Sequence, residues 1–242
     1  MGHAAEFIAD EFELSRESMD AHALESHRRA VAAQASGAFD AEIVAVEVAG
    51  RAPTIVDRDE GPRPDTTMEA LAALRPAFIE NGRVTAGNAP GLNDAAAAVV
   101  VSSAAYARSI EATPLARIVG FAQAAVEPKW IFDAPAQAVP RLLERVGWAL
   151  GDVDLLEVNE AFAAQILANG KALAEPGWDW DRVNVHGGAI ALGHPLGATG
   201  ARLLTTLVHA LRARGGGRGI ATLCLGGGEA VALAVEVDGA VG

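Results

Sequence analysis

The sequence predicts an α/β protein in which a sheet lies between layers of helix. Three observations carry this expectation. From about residue 115 onward, short β-branched runs alternate with segments of helical period. Glycine-dense turns punctuate those runs. The composition is 51% hydrophobic with 26 glycines and only 5% aromatic residues, which favours a core built by close backbone approach rather than by large side chains.

Taken in order, Ser15 is a suitable N-cap for a helix in which Met19, Ala23, Leu24, His27 and Val31 recur at helical intervals, and Gly37 ends it. Residues 42–48 alternate acidic and β-branched side chains, the pattern of a strand with one wet face. Residues 51–67, rich in Asp, Arg and Pro, read as an exposed excursion able to cover a ligand. A short helix over 67–74 stops before Pro76. Residues 88–94 form a turn cluster, with Asn93 or Asp94 available as a cap. Residues 95–105 fit a buried helix, a strand, or one turning into the other, and Val99-Val100-Val101 favours a strand at the centre.

Beyond a principal boundary at 112–115 the expected elements are a strand over 116–124 and a helix over 139–146 ended by Gly147. A strand over 153–158, a helix over 160–173 and a strand-like segment over 183–185 follow. A helix over 200–212 then leads to closing strands at 220–225 and 229–237.

The formal net charge is −12, from 31 acidic and 19 basic residues. That field repels nucleic acid and anionic membrane, so neither is an expected partner. The Arg-rich stretches 141–145 and 212–218 read as solvated helix ends. One cysteine excludes an internal disulfide framework and fits a reducing compartment. Glu6, Asp10, Glu11 and Glu13 do not suit a signal peptide, and the apolar stretches are too short to span a membrane. A cytoplasmic protein is the expectation.

Chemistry concentrates in two glycine-rich segments. His194 lies between Gly193 and Pro195, a setting that fixes the backbone and permits close approach. Its imidazole could be structural, or could move a proton or stabilise an oxyanion. Cys224 precedes Gly226-Gly227-Gly228, where it is either an inert buried thiol or a reactive group with space for substrate beside it. Asn159 opens a helix that it could cap, or it could point its carboxamide into a cleft. Glu160 could stabilise the helix start or orient a catalytic group. His186 reads as a packed histidine at a strand end. The scattered histidines make no metal-ligand set, and neither glycine segment fits a dinucleotide or phosphate-loop pattern.

In combination these segments resemble the thiolase family. Asn159-Glu160-Ala161-Phe162, Gly193-His194-Pro195 and Cys224-Leu225-Gly226-Gly227-Gly228 stand in the family's order and approximate spacing. Val183 to Gly188, Val84 to Asp94 and Met1-Gly2-His3-Ala4-Ala5-Glu6 extend the resemblance over essentially the whole chain. It implies an incomplete thiolase-like layered α/β fold. Residues 1–87 would be the remainder of a loop domain, 88–114 the tail of the N-terminal domain, and 115–242 the mixed-sheet C-terminal domain. The implied activity is acyl-CoA C-acyl transfer, forming or cleaving 3-ketoacyl-CoA such as acetoacetyl-CoA by Claisen chemistry.

Residue by residue, His194 resembles the histidine that activates the acyl-accepting cysteine, and Cys224 the acid–base cysteine at the α-carbon. Asn159 resembles the holder of a catalytic water that shares an oxyanion site with His194, and the Gly226 N–H belongs to a second such site. Met1, Ala89, Pro90, Gly91 and His186 resemble positions near the pantetheine or acyl group, and Arg63 one near coenzyme A. Pro90 stands where some members have serine; Ala4 and Thr199 are also local departures. The resemblance implies coenzyme A thioesters as substrates, acyl-CoA and CoA as ligands, and neither a metal nor a tightly bound cofactor.

The acyl-accepting cysteine of the family belongs to a half without counterpart here, and Cys224 cannot fill both roles. Little turnover alone and exposed core surface at the boundary are therefore expected; a partner chain supplying that half, a shortened gene product and a misassigned start stay open, as does a homo-oligomer. A non-catalytic CoA-binding or assembly subunit is the alternative, and a hydrolase using Cys224 as nucleophile a weaker one.

Overall fold

The computed structural model describes residues 1–50 and 52–239. A helix, α1 (Gly2–Glu11), opens the chain where the sequence signals no element; Met1 caps it without a side-chain bond. Tertiary burial holds it instead, with Ala5, Ile8 and Ala9 fully buried. Gly2 abuts the Phe78 ring, leaving no space for a Cβ. α2 (Arg16–Ala35) follows as expected, its Ser15 cap accepting from the Ser18 N–H at 3.0 Å and Gly37 in the left-handed region at φ +73°.

The strand expected over 42–48 is shorter. Only β1 (Val46–Val48) forms, pairing antiparallel with β2 (Thr54–Val56), which lies inside the stretch read as loop. All six residues of this hairpin are exposed. α3 (Met68–Ala72) is capped by Thr67. The strand favoured at Val99–Val101 does not form. These residues are unpaired and exposed, Val100 at 99%, because among the described residues no neighbouring strand accepts their backbone groups. A short helix, α4 (Ala104–Ser109), ends this segment.

The second half builds a four-stranded sheet from β3 (Arg117–Ala125), β4 (Leu155–Val158), β5 (Gly217–Leu225) and β6 (Glu229–Val237), in spatial order β3-β6-β5-β4. β5 and β4 are parallel; the other two pairings are antiparallel. α5 (Ala134–Val146) covers one face. It begins five residues before the expected Val139, with Pro135 in its first turn and Pro140 accommodated on an exposed surface. α8 (Thr199–Ala213) covers the other face, closely enough that a Cβ on Gly219 would lie 2.8 Å from Leu207 and Leu211. Leu203, Leu207 and Leu211 are almost wholly buried there, each worth about 1.5–3 kcal/mol of transfer free energy.

α6 (Ala163–Ala172), following β4, packs against α1 and α2, and a third apolar cluster joins them through Met19, Phe132, Phe162 and Ile190. A four-residue helix, α7 (Ala189–Leu192), precedes His194. The strand-like segment 183–185 makes only one bridge to Leu156. Asn184 instead takes φ +46°, and its carboxamide bonds both the N–H and the C=O of Val158 at 2.8 Å, replacing ladder bonds with side-chain ones. No helix among the described residues is long and apolar enough to cross a membrane.

Candidate active site

His194 and Asn159 meet. Asn159 is fully buried immediately after β4, and its backbone N–H extends the ladder to Thr222 O at 3.0 Å. Its Nδ2 lies 3.4 Å from His194 Nε2. On the other side of the ring, His194 Nδ1 lies 2.8 Å from Thr199 Oγ1. The Thr199 hydroxyl donates its one hydrogen to Pro195 O at 3.0 Å, so it accepts from the imidazole. This network assigns the proton to Nδ1 and leaves Nε2 as the acceptor beside Asn159. Burial, then the Arg202 charge, pushes the His194 pKa below the ordinary histidine value. Asn159 Oδ1 is buried with no partner among the described residues, an acceptor that an incoming donor would satisfy.

The parallel register brings Cys224 to the same end of the sheet. Val158 pairs with Thr222, so Asn159 and Cys224 leave the carboxyl ends of adjacent strands. Cys224 is half-buried against the Phe162–Ile190 cluster, on which Ala89 also packs. Burial pushes its thiol up to about 11, so it is protonated at neutral pH. Beyond it the chain turns through Gly226-Gly227-Gly228 into β6. Gly226 is exposed with open space around it, and Gly228 is packed against Val126 O.

A cavity of about 290 Å³ lies beside this end and is lined in part by Arg63, Ala89, Gly91, Asn93 and Gly193. It brings together three of the residues expected near a coenzyme. Pro90 is half-exposed between two of them. Met1 is 65% exposed at the start of α1 and does not line it. His186 lines a second cavity of about 450 Å³ with Arg28, Arg29 and Arg214, and packs edge-on to Phe39. Gly187, at φ +81°, turns the chain between His186, which lines the second cavity, and Gly193, which lines the first.

The site's frame depends on Glu160, fully buried. Its carboxylate accepts from Ser26 Oγ at 2.8 Å and Ile190 N at 3.0 Å, and lies 2.9 Å from His22 Nε2. Burial alone would raise its pKa, but these partners, His22 foremost, hold it below the usual carboxylate value. The carboxylate sits against Gly188, where no Cβ fits. Glu160 thereby pins α2 to the turn leading into His194.

Sequence reasoning missed Thr199 as an orienting group and Asn93 as a cavity wall. Asn93 caps no helix; its side chain lies against Gly193, which takes φ +99°. A polar residue beside a turn was the available signal, and it did not reveal a contact across a hundred residues. His27 was also missed. It lines the cavity, and its Nδ1 accepts from Arg63 N at 3.1 Å, tying the excursion to α2.

A family model described as the C-terminal domain of thiolase matches residues 112–237, and one described as its N-terminal domain matches residues 1–105. The chain is 52% identical over 237 residues to an acetyl-CoA acetyltransferase of Escherichia coli (strain K12), covering 98% of this chain and 59% of that one. Against an acetyl-CoA acetyltransferase of Shinella zoogloeoides it is 51% identical over 237 residues, with 98% and 60% covered. The crystal structure of the Bacillus anthracis acetyl-CoA acetyltransferase superposes with a TM-score of 0.95 at 48% identity, over 98% of this chain and 60% of that one. Human mitochondrial 3-ketoacyl-CoA thiolase superposes with a TM-score of 0.91 at 40% identity, again over 98% and 60%. The chain thus spans about three-fifths of the length of these relatives.

Proposed function

The chain belongs to the thiolase family, and we propose that it contributes part of an acyl-CoA C-acyltransferase site that forms or cleaves 3-ketoacyl-CoA such as acetoacetyl-CoA. The observation that carries this reading is the His194–Asn159 contact at the strand ends that also carry Cys224. Residues 1–87, 88–114 and 115–242 serve in this reading as loop-domain remainder, N-terminal-domain tail and C-terminal domain.

In the cleaving direction an acyl-accepting thiolate attacks the 3-keto carbon, and the bond between C2 and C3 breaks. The electron pair left on C2 takes a proton from Cys224, giving acetyl-CoA, while the shortened acyl group stays on the accepting sulfur. The thioester left behind is then transferred to CoA. A thiol held up to about 11 is the protonated form this step needs. In the condensing direction Cys224 gives its proton to the CoA sulfur that leaves as the acyl group is loaded, and its thiolate then removes the α-proton of the second acyl-CoA; the carbanion attacks the acyl thioester, and the acyl-accepting sulfur departs. The neutral Nε2 of His194 serves to take the proton of the acyl-accepting thiol, and the Asn159–His194 pair and the Gly226 N–H face the developing oxyanions.

Cys224 is the single cysteine of the sequence, so the acyl-accepting thiol has to come from other polypeptide. A chain supplying it and a homo-oligomer belong to the same proposal, as does a place in fatty acid metabolism; the lone cysteine favours a reducing compartment such as the cytoplasm. Arg63, Ala89, Pro90 and Gly91 serve as coenzyme-binding positions; Met1 and His186 are weaker members of that set on their placement. Little turnover of acetoacetyl-CoA and CoA is expected from this chain alone. Reconstitution with a cysteine-bearing half should restore turnover, and Cys224→Ala or His194→Ala should then lower kcat/KM by about 10²–10⁴-fold. Full activity of the isolated chain would overturn the need for a second thiol. Unchanged activity of reconstituted Cys224→Ala would favour the assembly-subunit reading.

A further inference from the structure

One face of α2 runs along the turn that leads into His194. His22, Ser26 and Arg29 recur on it at helical spacing. Arg29 Nη1 donates to Val183 O at 2.6 Å and to Trp180 O at 3.1 Å, and the His22 ring tilts against Trp180 with centroids 5.5 Å apart. Gly187 lies so close to Ser26 O and Ala30 that no Cβ fits there. Glu160 reaches into this seam from the position directly after Asn159, and every partner of its carboxylate is a donor. Ile190 N donates to Oε2 as a backbone amide. Ser26 Oγ accepts from Gly188 N at 3.0 Å, so its single hydrogen goes to that same Glu160 oxygen. Asn184 Nδ2 donates to Oε1 at 3.3 Å, its amide held in that sense by two bonds to Val158. His22 Nε2 is the fourth partner, on Oε1, and it meets an ionised oxygen only as an N–H.

We propose that Glu160 is a positioning residue for the Asn159–His194 pair, its carboxylate setting the two side chains against each other and seating both on α2 through His22 and Ser26. Its backbone continues directly from Asn159, and its side chain grips Ile190 in the short helix that precedes His194. One buried group thereby spans both chain segments that carry the 3.4 Å contact. A shell of four donors suits an acceptor-only carboxylate. A glutamine amide in its place has one direction to go, toward His22, because the Ile190, Ser26 and Asn184 hydrogens are each fixed by other bonds or by the backbone. His22 must then give up its Nε2 hydrogen and accept. His22 therefore reports the charge of this anchor, and His194 reports its reach. The catalytic value of the placement rests on the acyl transfer proposed above; the placement itself does not.

The test records the imidazole nitrogen signals of the full chain labelled at histidine, with His22→Phe and His194→Asn assigning two of them. In folded Glu160→Gln, His22 should switch to the form protonated at Nδ1, and the His194 Nε2 signal should be displaced because its turn has lost the ionic anchor. His209, on α8 and outside this shell, is the internal control and should stay in place. A His194 signal unmoved in a Glu160→Gln chain that is folded but less resistant to urea would show a merely structural carboxylate, and would overturn the proposal. Should Glu160→Gln fail to fold, Ser26→Ala decides, because it keeps the carboxylate and removes its link to Gly188. There too the His194 signal should move, and an unmoved one would overturn the proposal. After reconstitution, Glu160→Gln should lower kcat by about 10–100-fold at unchanged KM, the split expected when reacting groups are misplaced. An unchanged kcat would likewise count against positioning. The nitrogen signals need no turnover, so failure of the acyl-transfer reading and failure of this one are separable.

Discussion

Residues 95–103 and β6 are close in composition and opposite in fate. The first reads Ala-Ala-Ala-Ala-Val-Val-Val-Ser-Ser, the second Glu-Ala-Val-Ala-Leu-Ala-Val-Glu-Val. β6 lies between β3 and β5, with every backbone group offered a partner and its alanines at 230, 232 and 234 fully buried. The first is unpaired and exposed throughout. Alanine and valine runs acquire strand structure from neighbours that take their hydrogen bonds and cover their side chains; intrinsic preference is not enough. Leu92, Val99, Val100, Val101, Tyr106, Ile110 and Leu115 are all large apolar side chains left exposed within this one stretch of chain.

The largest expected effect lies on the packed side. Leu211→Ala under α8 should cost about 2–5 kcal/mol in urea unfolding. Gly193→Ala probes a place where the exposed segment touches the packed one, through Asn93; its φ of +99° and the absent space predict a loss of about 1–3 kcal/mol.

The pH dependence should also reside in the packed region. Glu157 and Glu42 have folded-state pKa values above the unfolded one, so the folded state holds their protons more tightly. Their contribution is present below about 4.5 and is lost as pH rises through about 7 and 8, with a slope of up to ~1.4 kcal/mol per pH unit per group. Glu157→Gln should flatten the unfolding free energy across that window, and a parallel displacement of the whole curve would contradict this.

Smallest of all, Val100→Ala should change stability by less than about 0.5 kcal/mol. Replacing Val99, Val100 and Val101 together by threonine should reduce binding of a hydrophobic dye without lowering the urea midpoint. Comparable losses for Val100→Ala and Leu211→Ala would break the comparison outright.

Much of the fold could be read ahead of the structure where its signals are local. Ser15 and Gly37 bracket α2, and β6 runs over the expected residues 229–237. The misses share a cause. α1 has no capping side chain and exists through burial of Ala5, Ile8 and Ala9; residues 183–185 fail to extend as a strand because the Asn184 carboxamide takes over the bonding to Val158. In the site, His194 and Cys224 were visible as unusual residues in glycine-rich turns, and Asn159 as a carboxamide opening a helix. Thr199, the Asn93–Gly193 contact and the Glu157–Arg202 pair were not, since nothing in their own neighbourhood distinguishes them from ordinary helix and loop residues.

The sequence by itself determined which segments could become helix or strand and which glycines had to turn the chain, because capping, periodicity and backbone freedom act over a few residues. Only the tertiary structure decided which apolar run became a sheet strand and which stayed bare. It also decided the tautomer of His194 and the burial of Glu157 against Arg202. Those outcomes depend on desolvation and on partners brought from distant parts of the chain, and both arise only when the elements pack.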